Sequence, residues 1–146
     1  MAAFLTQLEV AQVPGRPGDT DPTENTWKLL APLRYQSDVA AQEIWVPRGF
    51  VTDFASVPRV PVAYLLAGNT AHGPAVVHDW LYGTHPVTKD VADLVFLEAM
   101  GVWGEPWWRR TLMYQAVSLY GQDAYETGPS RLTIDNPTIV PPMRTS

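Results

Sequence analysis

The stretch PAVVHDWLYG, residues 74–83, places a histidine and an aspartate, His78 and Asp79, inside an apolar run. The spacing of its apolar residues predicts a short helix over residues 73–82. A helix that is apolar on most sides is buried, so polar side chains on it need partners inside the core. His78 and Tyr82 are four residues apart and share a helix face, whereas Asp79 points about 100° away from His78.

Two longer helices are predicted after this stretch. The first of them begins after an N-cap at Thr88 and runs to Met100, with Gly101 as its C-terminal stop. The other starts at Pro106, a residue favoured in the first helical turn, and ends before Gly121. A stripe of aromatic and aliphatic residues along this last helix has the spacing of an amphipathic helix.

The helix after Thr88 carries a carboxylate in its most apolar part. Nearly every residue after Asp90 is apolar, except Asp93 and Glu98. Asp90 and Asp93 lie about 60° apart on one edge of the helix, and Glu98 points elsewhere. An unpaired carboxylate at a buried contact costs several kcal/mol, so we expect Asp93 to have a partner.

The N-terminal third is predicted to be β-structure. Short, partly alternating runs rich in strand-forming residues occupy residues 3–13, 26–36 and 39–47. An ordered loop over residues 47–58 leads to a short helix near residues 62–67. We therefore predict an α+β fold in which N-terminal antiparallel strands precede three to four packed helices. One domain is expected over residues 1–128, followed by an extended Pro-rich tail over residues 129–146.

Composition limits the classes of partner. The 146 residues include ten Lys and Arg against fifteen Asp and Glu, for a formal net charge of −5. Nucleic acid is not an expected partner, because phosphate binding requires clustered basic residues. The chain contains no cysteine, which excludes disulfides and thiolate metal sites. No stretch approaches the roughly 18 apolar residues of a membrane span, so no membrane insertion is expected.

A third polar segment lies in the loop FVTDFASVPR, residues 50–59, which contains Asp53, Ser56 and Arg59. Its acid is flanked by apolar residues where an ordinary loop would be more polar. Three separate segments thus place a carboxylate among apolar residues, namely at Asp53, Asp79 and Asp93.

Three hypotheses account for these acids and His78. In the first, they form a structural network that fixes the fold without catalysis. An arginine, Arg59 or Arg110, then pairs with an acid, and His78 donates to a backbone carbonyl. The wider network of this hypothesis comprises Ser56, Arg59, Tyr82, Arg110 and Tyr114.

The other two hypotheses are functional. In the second, Asp53, Asp79 and Asp93 bind a divalent metal together with one imidazole, and the sequence does not choose between magnesium, manganese, calcium and zinc. In the third, the catalytic residues are His78 and Asp79. His78 is then a general base that hydrolyses an ester, amide or phosphoester, with or without the metal.

Four segments in fixed order resemble a known family. They are GFVTDFASVPR, AVVHDWLY, the pair Ala92–Asp93 with the apolar residues after it, and RTLMYQAVSLYG. The resemblance covers residues 47–121 and is to an uncharacterised domain family found mainly in tailed bacteriophages and prophages. The matching positions are Asp53, Phe54, Ser56, Pro58, Arg59, His78, Asp79, Tyr82, Asp93, Arg110 and Tyr114.

The resemblance implies a setting rather than a mechanism, because the family has no established activity. We expect a virion-associated structural or accessory protein of the tail or of a capsid-associated site. It would be made in the host cytoplasm and would contact other virion proteins or itself. The alternatives are a metal-assisted hydrolase of the bacterial envelope, with His78 as general base, and a small regulatory protein that binds a host target.

Overall fold

The computed structural model describes residues 1–13, 26–52, 71–132 and 134. Within these residues, antiparallel strands in two small sheets precede four helices, so the predicted α+β fold is confirmed. Several predicted features lie outside the described residues. They are the short helix near residues 62–67, most of the tail, and the loop residues Asp53, Ser56 and Arg59.

The N-terminal half forms two three-stranded antiparallel sheets, with strand orders β1-β4-β5 and β2-β3-β6. The strands predicted over residues 3–13 and 26–36 are each divided by a short irregular segment, so that their two parts enter different sheets, whereas residues 39–47 contain the single strand β5. The strands are β1 (Ala3–Phe4), β2 (Val10–Val13), β3 (Thr26–Leu29), β4 (Leu33–Ser37), β5 (Gln42–Val46) and β6 (Val51–Thr52).

The β4–β5 hairpin presents one buried face to the helices. Leu33 pairs with Val46 and Tyr35 pairs with Ile44, and all four side chains are buried. The two-residue alternation of a strand explains this pattern, because every second side chain points to the same side. On the other face, Arg34 and Glu43 form a cross-strand ion pair.

Four helices follow the strands. They are α1 (His72–Thr84), α2 (Lys89–Trp103), α3 (Trp107–Tyr120) and α4 (Gln122–Arg131). Helix α1 packs against α2 and α4, and α3 packs against α2 and, less extensively, α4. Among the described residues, no helix is long and apolar enough to cross a membrane.

Helix α1 is buried on most of its surface, as its sequence predicts. Its apolar side chains join those of the hairpin and α2 in one core cluster that includes Val76, Val77, Leu81, Val95 and Ala99. Burying each valine or leucine side chain of this cluster contributes about 1.5–3 kcal/mol relative to solvent exposure. The helix therefore holds its place through packing, and polar groups on it are forced into the core.

Helix α2 does not stop at Gly101, and this prediction was wrong. The helix continues to Trp103 and ends at Gly104, whose φ of 101° lies in the left-handed region that glycine adopts without strain. Gly101 serves close packing instead, because a Cβ atom there would lie 2.5 Å from Nη1 of Arg110. The predicted N-cap is confirmed, since the Thr88 hydroxyl accepts from the backbone N–H of Val91.

Helix α4 was not predicted, and it extends into the segment predicted as tail. Gly128 and Pro129 lower its intrinsic helix propensity. Packing compensates, because Ala124 and Tyr125 contact the core and the Tyr125 ring meets Tyr82 edge-on at 5.2 Å. Beyond the helix, Ile134 forms an antiparallel bridge with Phe50.

Glu98 clamps helix α2 to the β4–β5 hairpin. Its Oε1 accepts from the hydroxyl groups of Tyr35 and Ser37, both at 2.8 Å. Its Oε2 accepts from the backbone N–H of Val39 at 3.0 Å, in the turn that joins the two strands. Burial of Tyr35 and its hydrogen bond to Glu98 together raise the pKa of the Tyr35 hydroxyl well above its ordinary value. One carboxylate therefore satisfies three donors of the hairpin.

We expect Glu98→Ala to lower the free energy of unfolding by about 2–4 kcal/mol, because buried hydroxyl groups would lose their acceptor. Glu98→Gln should cost less, since its amide oxygen can still accept from Tyr35 and Ser37. Chemical denaturation measures both. Glu126→Ala, on the exposed side of α4, is the control and should change stability by less than about 0.5 kcal/mol. Equal effects at positions 98 and 126 would contradict the clamp.

Candidate functional site

The Asp93 carboxylate is the centre of a buried polar cluster between α1 and α2. Its Oδ1 lies 2.9 Å from Nε2 of His78 and accepts a hydrogen bond of 2.5 Å from the Tyr82 hydroxyl. Both donors come from α1, four residues apart on one face. Asp93 is only 2% exposed, so its expected burial and pairing are observed.

Lys89 neutralises the second carboxylate oxygen. Its Nζ donates to Oδ2 of Asp93 at 2.7 Å, one helical turn along α2. The same ammonium donates to the backbone carbonyls of Val117 and Ser118, at 3.0 and 3.3 Å. Carbonyls near a helix C-terminus attract cations. Lys89 thus connects the buried acid to the end of α3.

Aromatic rings enclose the His78 imidazole. The ring centroids of Tyr82 and Phe96 lie 4.0 and 4.7 Å from that of His78. The His78 side chain is completely buried. It therefore has no direct access to solvent in this structure.

The environment sets the protonation states. Burial lowers the pKa of His78, although its hydrogen bond to Asp93 acts in the opposite direction. Burial alone would raise the pKa of Asp93. The hydrogen bonds from His78, Lys89 and Tyr82 outweigh that effect and hold the Asp93 pKa below its ordinary value. A neutral imidazole next to an ionised carboxylate must carry its proton on Nε2. In the His78–Asp93 pair, the buried charge is therefore on Asp93.

Asp79 belongs to a different contact. Its side chain is half-buried and accepts a hydrogen bond from the Thr52 hydroxyl at the end of β6. Asp79 therefore connects α1 to the β2-β3-β6 sheet, whereas His78 connects α1 to α2. The two neighbours point in different directions, as the 100° rotation per residue requires.

The structure brings only part of the predicted set together. His78, Tyr82 and Asp93 are in contact, but Arg110 and Tyr114 lie on α3 and make no hydrogen bond with Asp93, whose donors within the described residues are His78, Tyr82 and Lys89. Asp53, Ser56 and Arg59 lie outside the described residues.

No metal-binding group of three or more His, Asp or Glu residues is found in the described parts of the chain. The predicted metal set stays a prediction, because Asp53 lies outside those parts. Of the other two carboxylates, Asp93 is held by three side chains and Asp79 by Thr52.

Sequence reasoning missed three residues of these contacts. The pairing of Lys89 with Asp93 could have been predicted from the sequence, because a lysine four residues before an acid on a helix commonly forms an ion pair with it. The contacts of Glu98 and Thr52 could not be predicted in this way, since Tyr35 lies 63 residues from Glu98 and Asp79 lies 27 residues from Thr52 along the chain.

A comparison with protein-family models matches residues 27–117 to a protein of unknown function, DUF1353. The chain belongs to the DUF1353 family. The DUF1353 match runs from β3 to α3 and includes the whole Asp93 cluster, so the expected resemblance to a domain of unknown function is confirmed. No match was found among curated proteins or among solved structures.

We expect the DUF1353 fold to lose stability as the pH falls below about 6.5, the pKa of an unfolded histidine. Because the folded pKa of His78 is lower, the unfolded chain takes up a proton there that the folded chain does not. The slope should reach about 1.4 kcal/mol per pH unit. Urea denaturation at stepped pH measures it. His78→Gln should flatten this slope. A slope that is unchanged in His78→Gln would refute the assignment.

Removal of the Lys89 charge should be strongly destabilising. We expect Lys89→Met to cost about 3–5 kcal/mol, because it leaves Asp93 charged and buried without a counter-ion. In an Asp93→Asn background the same change should cost much less. A double-mutant cycle by chemical denaturation measures this coupling. Arg48→Met, at an exposed position, is the control, and additive effects at positions 89 and 93 would argue against the pair.

Proposed function

We propose that this DUF1353 protein is a structural or accessory component of a bacteriophage virion, at the tail or at a capsid-associated site. One observation carries the proposal. Within the described residues, the buried acids and His78 connect structural elements to one another. A protein whose polar interior is used in this way acts through its surface.

Each polar contact supports the proposal by joining two elements. His78 and Tyr82 of α1 meet Asp93 of α2, and Lys89 of α2 reaches the end of α3. Glu98 joins α2 to the hairpin. A fully satisfied network of this kind rigidifies a fold and specifies one arrangement of its helices. Rigidity suits a subunit that must keep its shape within a large assembly.

A hydrolytic role for His78 has less support. A general base must come within about 3 Å of the proton that it removes, directly or through one water. The His78 ring is fully buried between aromatic rings, and its Nε2 faces Asp93. We therefore assign His78 a structural role, and Asp79 likewise through its bond with Thr52.

The virion setting itself is inferred from sequence. The TDFASVPR and HDWLY motifs resemble a family found mainly in tailed bacteriophages and prophages. The acidic composition, with a net charge of −5, favours protein partners over packaged nucleic acid. Other virion proteins, or further copies of the chain, are the partners that fit.

Mass spectrometry of density-purified particles tests the proposal. The particles should come from the phage or induced prophage that encodes the chain. We expect the chain at a constant ratio to the major capsid protein across the particle peak. A non-structural protein encoded by the same phage is the control and should disappear during purification. A chain that is abundant in the lysate but absent from complete particles would overturn the virion role.

A further inference from the structure

Helix α4 contains a proline at an interior position. Pro129 lies inside the helix, two residues before its end at Arg131. A regular helix would bond the N–H of residue 129 to the carbonyl of Tyr125. Proline has no N–H, and its ring crowds the carbonyl four residues earlier. The Tyr125 carbonyl therefore lacks its usual partner within the helix and needs a donor from another part of the chain.

A side chain from outside the helix supplies that donor. Nε2 of His85 lies 2.7 Å from the Tyr125 carbonyl oxygen. Because a carbonyl oxygen can only accept, Nε2 must carry the hydrogen in this contact. The His85 imidazole thus takes the place of the backbone N–H that Pro129 removes, and it does so from the residue that ends α1.

His85 is positioned for this contact by a left-handed backbone conformation. It is the C-cap residue of α1, with φ of 53° and ψ of 43°, and its backbone N–H donates to the Leu81 carbonyl at 3.0 Å. Glycine adopts this conformation without strain, whereas a residue with a Cβ atom is strained in it. A histidine at such a position indicates that its side chain has a role that offsets the strain.

The connection between α1 and α2 holds Tyr125 at two further points. The His85 ring stacks on the Tyr125 ring, with the centroids 3.9 Å apart and 12° between the planes. The Tyr125 hydroxyl donates to the Val87 carbonyl at 3.2 Å. Tyr125 is therefore held by its backbone, its ring and its hydroxyl. We define these three contacts of Tyr125 with His85 and Val87 as the clip.

Helix α4 lies directly on the Tyr82 side of α1. The Tyr125 ring meets the Tyr82 ring edge-on at 5.2 Å. A Cβ atom at Gly128 would collide with the Tyr82 backbone carbonyl, and one at Gly121 would lie 2.8 Å from the Tyr82 hydroxyl. Tyr82 is only 1% exposed, and α4 provides part of its cover. Movement of α4 away from α1 would open the Asp93 cluster to solvent from the side of Tyr82.

The sequence of α4 gives the helix little stability of its own. It has ten residues, with Gly128 and Pro129 inside it, and most of its side chains are exposed. Isolated helices of this length are unstable in water, so α4 depends on its contacts with α1 and the clip. Elements with few buried contacts open at a lower free energy than the core does.

We propose that α4 is a strap over the Asp93 cluster, which is closed by the clip and opens while the rest of the fold stays intact. His85 is the positioning residue, because it replaces the donor lost at Pro129. Opening separates α4 from α1 and uncovers Tyr82. The strap does not depend on a place in a virion, so either proposal can fail without the other.

Native-state hydrogen exchange of the purified full chain tests the strap. The amides of residues 125–128 should exchange at least about tenfold faster than those of residues 97–100 in α2, because their exchange requires only that α4 opens. Val95→Ala removes buried methyl groups from α2, which packs mainly against α1, α3 and the β1-β4-β5 sheet. This change should accelerate exchange at residues 97–100 at least about fivefold. Exchange at residues 125–128 should stay within about twofold, since Val95 keeps its contacts when the strap opens.

His85→Phe tests the clip, because phenylalanine keeps a ring for stacking and removes the donor. The change should accelerate exchange at residues 125–128 at least about fivefold, since the Tyr125 carbonyl loses its bond with the imidazole. In a Pro129→Ala background the N–H of residue 129 can bond that carbonyl, so His85→Phe should accelerate exchange less than about twofold. Backbone strain caused by phenylalanine at position 85 would act equally in both backgrounds and is thereby separated from the loss of the donor.

Three results would overturn the proposal. Exchange of α4 that is no faster than that of α2, or equal acceleration of both by Val95→Ala, would show that α4 opens only when the whole chain unfolds. Unchanged exchange of α4 in His85→Phe would remove the clip. Equal acceleration by His85→Phe in the unmodified and Pro129→Ala chains would show that the imidazole does not replace the missing donor. Selective acceleration of α4 by His85→Phe that Pro129→Ala suppresses supports the strap.

Discussion

The arrangement of the helices depends on one ionised carboxylate in the core. Asp93 is tolerated there only because two donors from α1 and one ammonium from its own helix occupy its oxygens. Removing water from a charge costs several kcal/mol, so a shift of α1 along α2 would leave that cost unopposed. The apolar contacts between α1 and α2 would permit more than one register of the two helices. The hydrogen bonds to the Asp93 carboxylate form in one register alone.

Helix α2 fixes the two halves of the molecule through two acids on different sides. Asp93 faces α1 and Glu98 faces the hairpin, and five residues of helix rotate one about 140° from the other. The same helix also reaches α3 through Lys89. The β1-β4-β5 sheet and the helices are therefore positioned by a shared rigid element, which explains how a small three-stranded sheet keeps a defined place on the helices.

Local patterns in the sequence predicted helices α1, α2 and α3 and the burial of Asp93, because apolar periodicity and i, i+4 spacing are properties of one helix. They could not predict the partner of Glu98, since Tyr35 lies 63 residues earlier in the chain. The glycine that ends helix α2 could not be identified from the sequence for a similar reason. Gly101 and Gly104 look alike in sequence, but one admits the Arg110 side chain and the other turns the backbone. Helix α4 escaped prediction because tertiary packing overrides its poor propensity.

The late position of α4 and Ile134 affects how the chain folds during synthesis. Helix α1 packs against α4, and Phe50 pairs with Ile134, so both earlier elements await segments made much later. While the ribosome is still translating the intervening helices, one side of α1 is open to water. Exposed apolar surface of this kind attracts chaperones and promotes aggregation. The nascent chain is therefore most vulnerable before residue 134 emerges from the exit tunnel, and slower translation up to that point would prolong the exposure.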